Sequence, residues 1–358
     1  MNSVLLTIDL TKAVADEAIE RKDCVVVAYH PIIFRGFKSL TLSDCQQQSI
    51  LRLALEGISV YSPHTAVDAA PGGLADWLAD IVTGHLPNPE PATHTAQPEK
   101  DSPETIEEEE EEGGGVEAEA EADREQPAEA KKKPQRPRMS LQRTYSKPTY
   151  PSHRPVDTSK TDLDPSSVDH TRSVISPVTG VEGFEGAGFG RLVTFNEPQP
   201  LTQLVERIAH GVGSPKGFPL AIPQGKQVED IQIRTVGVSA GSGHSVLKGV
   251  EADLLFTGEL SHHEALAATE KGQCVITLFH SNSERGYLSS VLKEKLTEVL
   301  KEEWERVRNE VAEAQALTPE WEDAVKDEDV LVECSERDRD PFGVVILQSS
   351  KQEGKPLS

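Results

Sequence analysis

The chain has 358 residues, of which 36% are hydrophobic, and a net charge of -24. Residues 99–129 hold fifteen Asp or Glu against two basic residues, so the rest of the chain is only mildly acidic and lacks the clustered Lys and Arg of a nucleic-acid-binding surface. Four widely spaced cysteines without a CxxC pair fit a reducing compartment, and no stretch approaches the length of a membrane span.

The first 85 residues alternate between apolar runs and helix-forming stretches. The runs lie at 4–8, 24–28 and 58–61, and the helix-forming stretches at 11–21 and 43–56. This βαβαβ rhythm predicts buried strands in a sheet whose active residues gather beyond the carboxyl ends of the strands. We assign residues 1–85 to the first half of an α/β domain. Because the chain begins inside a predicted strand, we expect a truncated N-terminus.

The composition changes to Pro, Glu, Ser, Thr, Lys and Arg between residues 86 and 185. Such a segment cannot bury enough apolar surface to fold, so we predict a long disordered insert that is acidic first and then basic. Charged disordered segments commonly serve recognition, which makes this one a candidate for binding protein partners. The basic stretch at 131–143 is a charged linker, a nuclear import signal or a patch for an anionic partner. We expect a cytoplasmic protein, with the nucleus as the alternative.

The strand and helix rhythm returns over residues 186–358, which we assign to the second half of the α/β domain. Further predicted elements are strands at 233–238, 253–256 and 275–279, a charged helical extension at 288–316 and a closing strand pair at 330–332 and 344–347. The predicted fold is therefore α/β, with two halves that contain mixed sheets flanked by helices on either side of the disordered insert.

Histidines and carboxylates follow several of the predicted strands. The residues are His30, Asp68, His280 and Glu284. Taken one by one they have ordinary interpretations, since His280 and Glu284 could form a surface ion pair and Asp68 could cap a helix. Together they lie where an α/β fold gathers ligands, and neutral imidazole with carboxylate suits zinc, iron or manganese. The pattern predicts a divalent metal site.

Two further motifs come after predicted strands. In the segment 257–265 we expect His263 and Glu264 to lie near the pocket, in contact with substrate or supporting the ligands. The Gly-Ser-Gly-His turn at 241–244 is either a phosphate-cradling turn or a tight connection between strand and helix. Because the sequence has no nucleophile elbow and no cysteine nucleophile motif, the available chemistry is water activated by a metal ion.

Four motifs together resemble one protein family. They are Tyr-His-Pro-Ile-Ile-Phe at 29–34, Ser-Pro-His-Thr-Ala-Val-Asp at 62–68, Thr-Gly-Glu-Leu-Ser-His-His-Glu-Ala at 257–265 and His-Ser-Asn-Ser-Glu-Arg at 280–285. On these motifs the chain resembles the GTP cyclohydrolase type 2-like family, also called the NGG-one-interacting-factor-three (NIF-three-like) family. The resemblance implies paired α/β halves, a two-metal site between them, and a homo-oligomer that is often a hexamer; for this chain we predict one or two divalent ions.

The resemblance also implies roles for individual residues. The metal ligands it implies are His30, Asp68, His280 and Glu284. Glu284 would bridge two ions, and His64 and His263 fall at family positions close to the site. In a hydrolase, Glu284 or His263 would assist proton transfer. The family usually has a histidine where this chain has Tyr29, and the loss of an imidazole predicts that one ion binds weakly. The helix and the Trp-Asp-Asn segment that usually begin the family are missing here, in keeping with the expected truncation.

Two functions of different classes follow from these observations. The first is a metal-dependent hydrolase, cyclohydrolase-like, that acts on a nucleotide-like or phosphorylated small molecule. The alternative is a metal-stabilised oligomeric scaffold or a transcription-related interaction partner without catalysis, which recruits other proteins through the charged insert. Neither a membrane nor direct binding to nucleic acid is expected.

Overall fold

A computed structural model describes residues 2–85, 167–314 and 325–344. The strands are β1 (Asn2–Thr7), β2 (Val25–Ala28), β3 (Ser59–Tyr61), β4 (His170–Pro177), β5 (Gly188–Pro200), β6 (Leu220–Ala221), β7 (Gln232–Ser242), β8 (Leu254–Glu259), β9 (Cys274–Thr277) and β10 (Val330–Cys334). The α-helices are α1 (Lys12–Arg21), α2 (Cys45–Leu55), α3 (Thr65–Ala69), α4 (Leu74–Thr83), α5 (Leu201–Gly211), α6 (His244–Leu247), α7 (His262–Glu270), α8 (Arg285–Tyr287) and α9 (Lys293–Ala314). The predicted α/β class, with two sheets flanked by helices, is confirmed.

The first sheet has four strands in the order β10-β1-β2-β3, and every neighbouring pair is parallel. Strand β1 therefore lies between β2 and a strand from the far end of the chain. The prediction that residues 330–332 pair with residues 344–347 differs from this arrangement, because β10 pairs with β1, while residues 345–347 lie outside the described residues. A parallel partner more than 300 residues away leaves no local sequence signal.

The second sheet has six strands in the order β4-β5-β7-β8-β9-β6. It is mixed: β7, β8 and β9 are parallel to one another, and the outer pairings are antiparallel. Parallel strands place their carboxyl ends at one edge of the sheet. The ends of β7, β8 and β9 lie together there, and each carries residues of the site described below.

Strand β4 corrects the predicted boundary of the insert. It lies inside the segment 86–185 that we assigned to disorder, yet it pairs antiparallel with β5 along its length. The exposed positions of the strand are mostly polar, and only a few apolar side chains face the protein. This composition is typical of an antiparallel strand that has one face in water. Residues 86–166 of the predicted insert lie outside the described residues.

Helix α4 lies in the core between the two sheets. Eight of its residues are buried, as expected for a helix whose sequence is apolar on most sides. It packs against β5, β7 and α5, and the same core includes Leu6 and Ile8 of the first sheet. The buried Arg191 of β5 donates to both carboxylate oxygens of Asp76 at the start of α4, at 2.8 Å each. These contacts connect the two halves of the domain.

The predicted helical extension at 288–316 is present as a π-helical turn, Leu288–Leu292, followed by α9. Helix α9 packs against β10, and the indole N–H of Trp304 donates to the carbonyl oxygen of Asp327 at 2.9 Å. Among the described residues, no helix combines the length and the apolar character needed to cross a membrane.

Candidate metal centre

His30, His280 and Glu284 meet where the carboxyl ends of the two sheets face each other. Their potential ligand atoms all lie within 4.8 Å of one another. His30 Nε2 is 3.5 Å from Glu284 Oε2, and His280 Nε2 is 3.6 Å from Glu284 Oε1. The structure thus brings together three of the four predicted ligands, and the carboxylate of Glu284 lies between the two imidazoles.

The backbone positions each histidine through its neighbouring strand. Beyond the end of β2, the N–H of His30 donates to the carbonyl oxygen of Ile8 at 3.0 Å, which extends the pairing with β1. His280 follows Phe279, whose φ of +66° is unusual for a residue with a side chain. Ser283 stabilises the turn that follows, because its hydroxyl donates to the carbonyl oxygen of His280 at 2.8 Å. This turn directs His280 and Glu284 to the same point.

Each histidine of the cluster is held by a carboxylate. His30 Nδ1 is 2.9 Å from Asp9 Oδ1, and His280 Nδ1 is 2.9 Å from Glu259 Oε1. With Nδ1–H as the donor in each pair, Nε2 carries the lone pair that faces Glu284. Burial would raise the pKa of Asp9, but the hydrogen bond from His30 lowers it below its ordinary value. Carboxylates in this position commonly orient metal-binding histidines.

Glu284 is 1% exposed, and its Oε2 atom has no hydrogen-bond partner among the described residues. Burial, followed by the carboxylates of Asp68 and Asp9, raises the pKa of Glu284 well above its ordinary value. A Cβ on Gly241 would lie 2.6 Å from Glu284 Oε1, so the close approach requires glycine here. A buried carboxylate without a partner is costly unless a cation neutralises it.

The residues present therefore fit a divalent metal ion. His30 Nε2, His280 Nε2 and the carboxylate of Glu284 would hold it, a set of two imidazoles and one carboxylate that suits zinc, iron or manganese. Aligned Nε2 lone pairs and a carboxylate oxygen without a hydrogen-bond partner are what such an ion needs. Three of the four predicted ligands thus form a possible site for one metal ion.

The fourth predicted ligand, Asp68 of α3, lies beside the cluster and is bound by Tyr29. The phenol O–H donates to Asp68 Oδ1 at 2.7 Å. Burial raises the pKa of Asp68, and burial together with the charge of Asp68 raises the pKa of Tyr29, so the phenol keeps its proton at neutral pH. Tyr29 therefore acts as a hydrogen-bond donor to Asp68.

His64 lies close to the cluster, as predicted. Its ring centroid is 5.7 Å from those of Tyr29 and His30. It is 6.1 Å from the ring centroid of Phe34, in an edge-to-face arrangement. Its φ of +45° is rarely adopted by residues with a side chain, and such strain often marks functional positions. Burial and the neighbouring histidines lower the pKa of His64. The imidazole is therefore neutral at physiological pH.

The structure does not bring His263 or Glu264 into this group. Glu264 Oε2 accepts from the backbone N–H of Ser261 at 2.8 Å, as part of the capping box of α7, and its other oxygen is 2.6 Å from His244 Nδ1. His263 is exposed, with its ring against His262. Because the capping box turns the Glu264 side chain toward the helix start, it points to α6. The roles predicted for these two residues stay predictions.

A cavity of about 480 Å³ opens beside the cluster, a size within the range of about 300–1,000 Å³ that is usual for small-molecule sites. Besides the cluster, its lining residues are Tyr29, His64, Thr65, Asp68, Ala75, Ser176, Phe189, Gly190, Ser239, Ala240, Gly241, Ser242, Ser245 and Val246. Both halves of the domain contribute to it. The cavity gives a substrate room to reach the metal ligands.

Residues 1–315 match the family model of Duf34/NIF3 (NGG1p interacting factor 3). The chain belongs to this family. The protein NIF3 homolog of Schizosaccharomyces pombe is 37% identical over 82% of this chain and 76% of its own length. The NGG1-interacting factor 3 of Saccharomyces cerevisiae is 32% identical over 81% of this chain and 73% of its own. The NIF-three-like resemblance is confirmed, whereas the GTP cyclohydrolase type 2-like label stays a prediction.

A solved structure shares the fold of this NIF3-family chain. The Bacillus cereus protein related to NIF3 aligns with a TM-score of 0.52 at 19% identity, over 96% of this chain and 89% of its own. At that identity the likeness concerns the fold alone. It agrees with the paired α/β halves that the resemblance implied.

Proposed function

We propose that this NIF3-family protein is a divalent-metal-dependent hydrolase. The observation that carries the proposal is the buried carboxylate of Glu284, which lies between two imidazole nitrogens at the wall of a cavity and whose Oε2 atom has no hydrogen-bond partner among the described residues. An ion bound there would polarise the substrate and lower the pKa of water. Buried groups with strongly shifted pKa values in a cavity are typical of catalytic sites.

The chain itself would supply the groups that move protons. In hydrolysis the oxygen of water bonds to the electrophilic atom, the bond to the leaving group breaks, and the proton released by water passes to the leaving group. His64 is neutral and lines the cavity, so its imidazole can accept that proton and return it. Glu284, which lies between the two imidazoles, is the second residue that we propose to assist proton transfer. Tyr29 keeps Asp68 in a fixed orientation beside them.

A second candidate function is a metal-stabilised scaffold. His30 comes from the first half of the domain, and His280 and Glu284 come from the second, so one ion would link the two halves without any reaction. The scaffold would then act through assembly, as a homo-oligomer and through partners that bind its charged segments. For either candidate we also propose a homo-oligomer such as a hexamer, protein partners, a cytoplasmic location and one or two bound ions of zinc, iron or manganese.

Elemental analysis of protein purified without a metal-affinity tag tests both candidates. Wild type is compared with Glu284→Gln, and with His262→Ala as a control on the exposed surface of α7. The hydrolase predicts one or two ions per chain, lost in Glu284→Gln and kept in His262→Ala, together with metal-dependent turnover of ester or phosphoester probes. Bound metal that raises the melting temperature without any turnover favours the scaffold. Folded wild type that binds no divalent ion contradicts both.

A further inference from the structure

The segment 335–342, which follows β10, contacts residues that are next to the metal-site residues in the sequence. It begins on the first sheet, where the N–H of Ser335 donates to the carbonyl oxygen of Leu6 at 2.8 Å and extends the pairing of β10 with β1. The hydroxyl of Ser335 donates to Glu17 of α1, and its oxygen accepts from the N–H of Asp338 at 3.1 Å. These hydrogen bonds fix the start of the segment on β1 and α1.

Asp338 connects the elements that carry the candidate ligands of both halves. Its side chain is 4% exposed. Its Oδ2 atom accepts from the backbone N–H of Ile8 at 2.7 Å and forms a salt bridge with Arg285. The carbonyl oxygen of Ile8 accepts in turn from the backbone N–H of His30 at 3.0 Å, and Arg285 directly follows Glu284. A single buried carboxylate therefore holds the end of β1 against the helical turn after the second-half ligands.

Asp340 holds the turn that begins at His280. Its Oδ2 atom accepts from the hydroxyl of Ser281 at 2.7 Å, and Ser281 is 2% exposed. The same hydroxyl oxygen accepts from Arg285 Nη2 at 2.8 Å. Because Arg285 also pairs with Asp338, the contacts form a closed network around the turn between the two second-half ligands.

The two aspartates act at one remove from the chemistry. Of the described residues, neither the ligand cluster nor the lining of the cavity includes Asp338 or Asp340. The three ligands come from different halves of the domain, so their separation depends on what holds the halves together at this edge. Zinc needs nitrogen and oxygen ligands at about 2.0–2.2 Å, and a good site keeps these distances within about 0.2 Å. Small shifts between the halves therefore matter to the ion.

We propose that Asp338 and Asp340 are positioning residues of the metal centre, which hold the two halves of the ligand set at the separation that one ion requires. The inference rests on the proposed metal-dependent function and adds the residues that set the geometry of its site. Ligands that are already in place lose less conformational freedom when an ion binds. Residues that orient metal ligands typically contribute about 10–100-fold to metal affinity.

The test compares Asp338→Asn with Asp23→Asn in the full-length protein. Asp23 is a matched control, because its side chain is 1% exposed and pairs with Arg21, but it precedes β2 at the end of the strand opposite to His30. Chelator competition measures Zn²⁺ affinity, and urea unfolding with EDTA measures stability. We expect both variants to lose stability, but only Asp338→Asn to lose Zn²⁺ affinity, by about tenfold. The visible spectrum of bound Co²⁺, which reports the geometry of the ligands, should change in Asp338→Asn alone.

A second variant, Ser281→Ala, removes no charge and keeps a small side chain at this buried position, so it decides the question if Asp338→Asn does not fold. It breaks the contacts with Asp340 and Arg285 but leaves the salt bridge of Asp338, and we expect a loss in Zn²⁺ affinity of about threefold.

The outcomes separate this inference from the proposed function. Wild-type affinity and an unchanged Co²⁺ spectrum in Ser281→Ala and Asp338→Asn overturn the inference and leave the metal-dependent function standing. Equal losses of affinity in Asp338→Asn and Asp23→Asn also overturn it, because affinity would then follow overall stability. Folded wild type that binds neither Zn²⁺ nor Co²⁺ overturns both.

Discussion

The two halves of the metal centre have the same construction but differ in exposure. In the first half, Asp9 follows β1 and holds His30, which follows the adjacent parallel strand β2. In the second, Glu259 ends β8 and holds His280, which follows the adjacent parallel strand β9. The side chains of His30 and Asp9 are 23% and 33% exposed, and those of His280 and Glu259 are 40% and 51% exposed.

This difference indicates that the hydrogen bond between His30 and Asp9 is the stronger of the two. A hydrogen bond between an imidazole and a carboxylate is stronger where water is partly excluded. The second half also contributes Glu284, which is buried and lies between the two histidines. Metal affinity should therefore depend most on Glu284, then on the carboxylate of the first half, and least on that of the second.

The substitution Glu284→Gln should have the largest effect. It removes the one group that both half-sites share, so we expect metal affinity to fall by more than the roughly 10–100-fold that loss of a supporting partner costs. Competition with a fluorescent chelator measures this loss, and Glu310→Gln on the exposed face of α9 is the control. Without metal, the variant should be more stable than wild type, because a buried carboxylate without a partner is gone. Unchanged affinity would show that other residues hold the ion.

The substitutions Asp9→Asn and Glu259→Gln compare the two half-sites directly. Each amide can turn its N–H₂ group to Nδ1 and so favour the wrong tautomer of the histidine, and we expect losses in metal affinity of about 10–100-fold. The loss in Asp9→Asn should be the larger, because Asp9 is less exposed than Glu259. The same chelator competition measures both. Equal losses would mean that exposure does not distinguish the half-sites.

The position of the candidate metal ligands could be predicted from the sequence. The apolar runs at 24–28 and 275–279 end just before His30 and His280, and ligands of α/β proteins gather beyond strand ends. The two supporting carboxylates could not be predicted in this way. Asp9 and Glu259 act only because β1 lies next to β2 and β8 next to β9, and strand order follows from packing between distant parts of the chain.

His263 and Glu264 lie outside the cluster for a local reason. His263 and Glu264 form a dense polar group after a predicted strand, and that pattern is the same for a site and for a helix start. A serine followed three residues later by a glutamate is the usual signature of a capping box. Ser261 and Glu264 match it, so the sequence is also compatible with a helix start at this position. Strand β4 escaped prediction because its polar exposed face resembles the composition of a disordered segment.

The raised pKa of Glu284 predicts how the stability of the metal-free protein depends on pH. Its pKa in the folded state lies above the ordinary value of 4.5, so the protonated group contributes stability that is present below about pH 4.5 and is lost as the pH rises through the folded pKa. One such group gives a slope of at most about 1.4 kcal/mol per pH unit. Urea unfolding with EDTA at pH 5, 6 and 7 should show stability falling with pH, and Glu284→Gln should flatten the fall. An unchanged slope in the variant would assign the effect to Asp68, whose pKa burial also raises.

The smallest expected effect on metal affinity is that of substituting Tyr29, which belongs to the first half-site alone. Tyr29→Phe removes the hydrogen bond to Asp68 and leaves that partly buried carboxylate with one donor fewer, at an expected cost of about 1 kcal/mol in the free energy of unfolding. Affinity for the ion held by His30, His280 and Glu284 should change little, because the phenol contacts none of its ligand atoms through a hydrogen bond among the described residues. Tyr29→His is the informative companion, since it places an imidazole beside Asp68 and should raise the number of tightly bound ions per chain. If the number of bound ions stays the same while the protein remains folded, the replacement of histidine by tyrosine does not limit the second ion, and the orientation of Asp68 does.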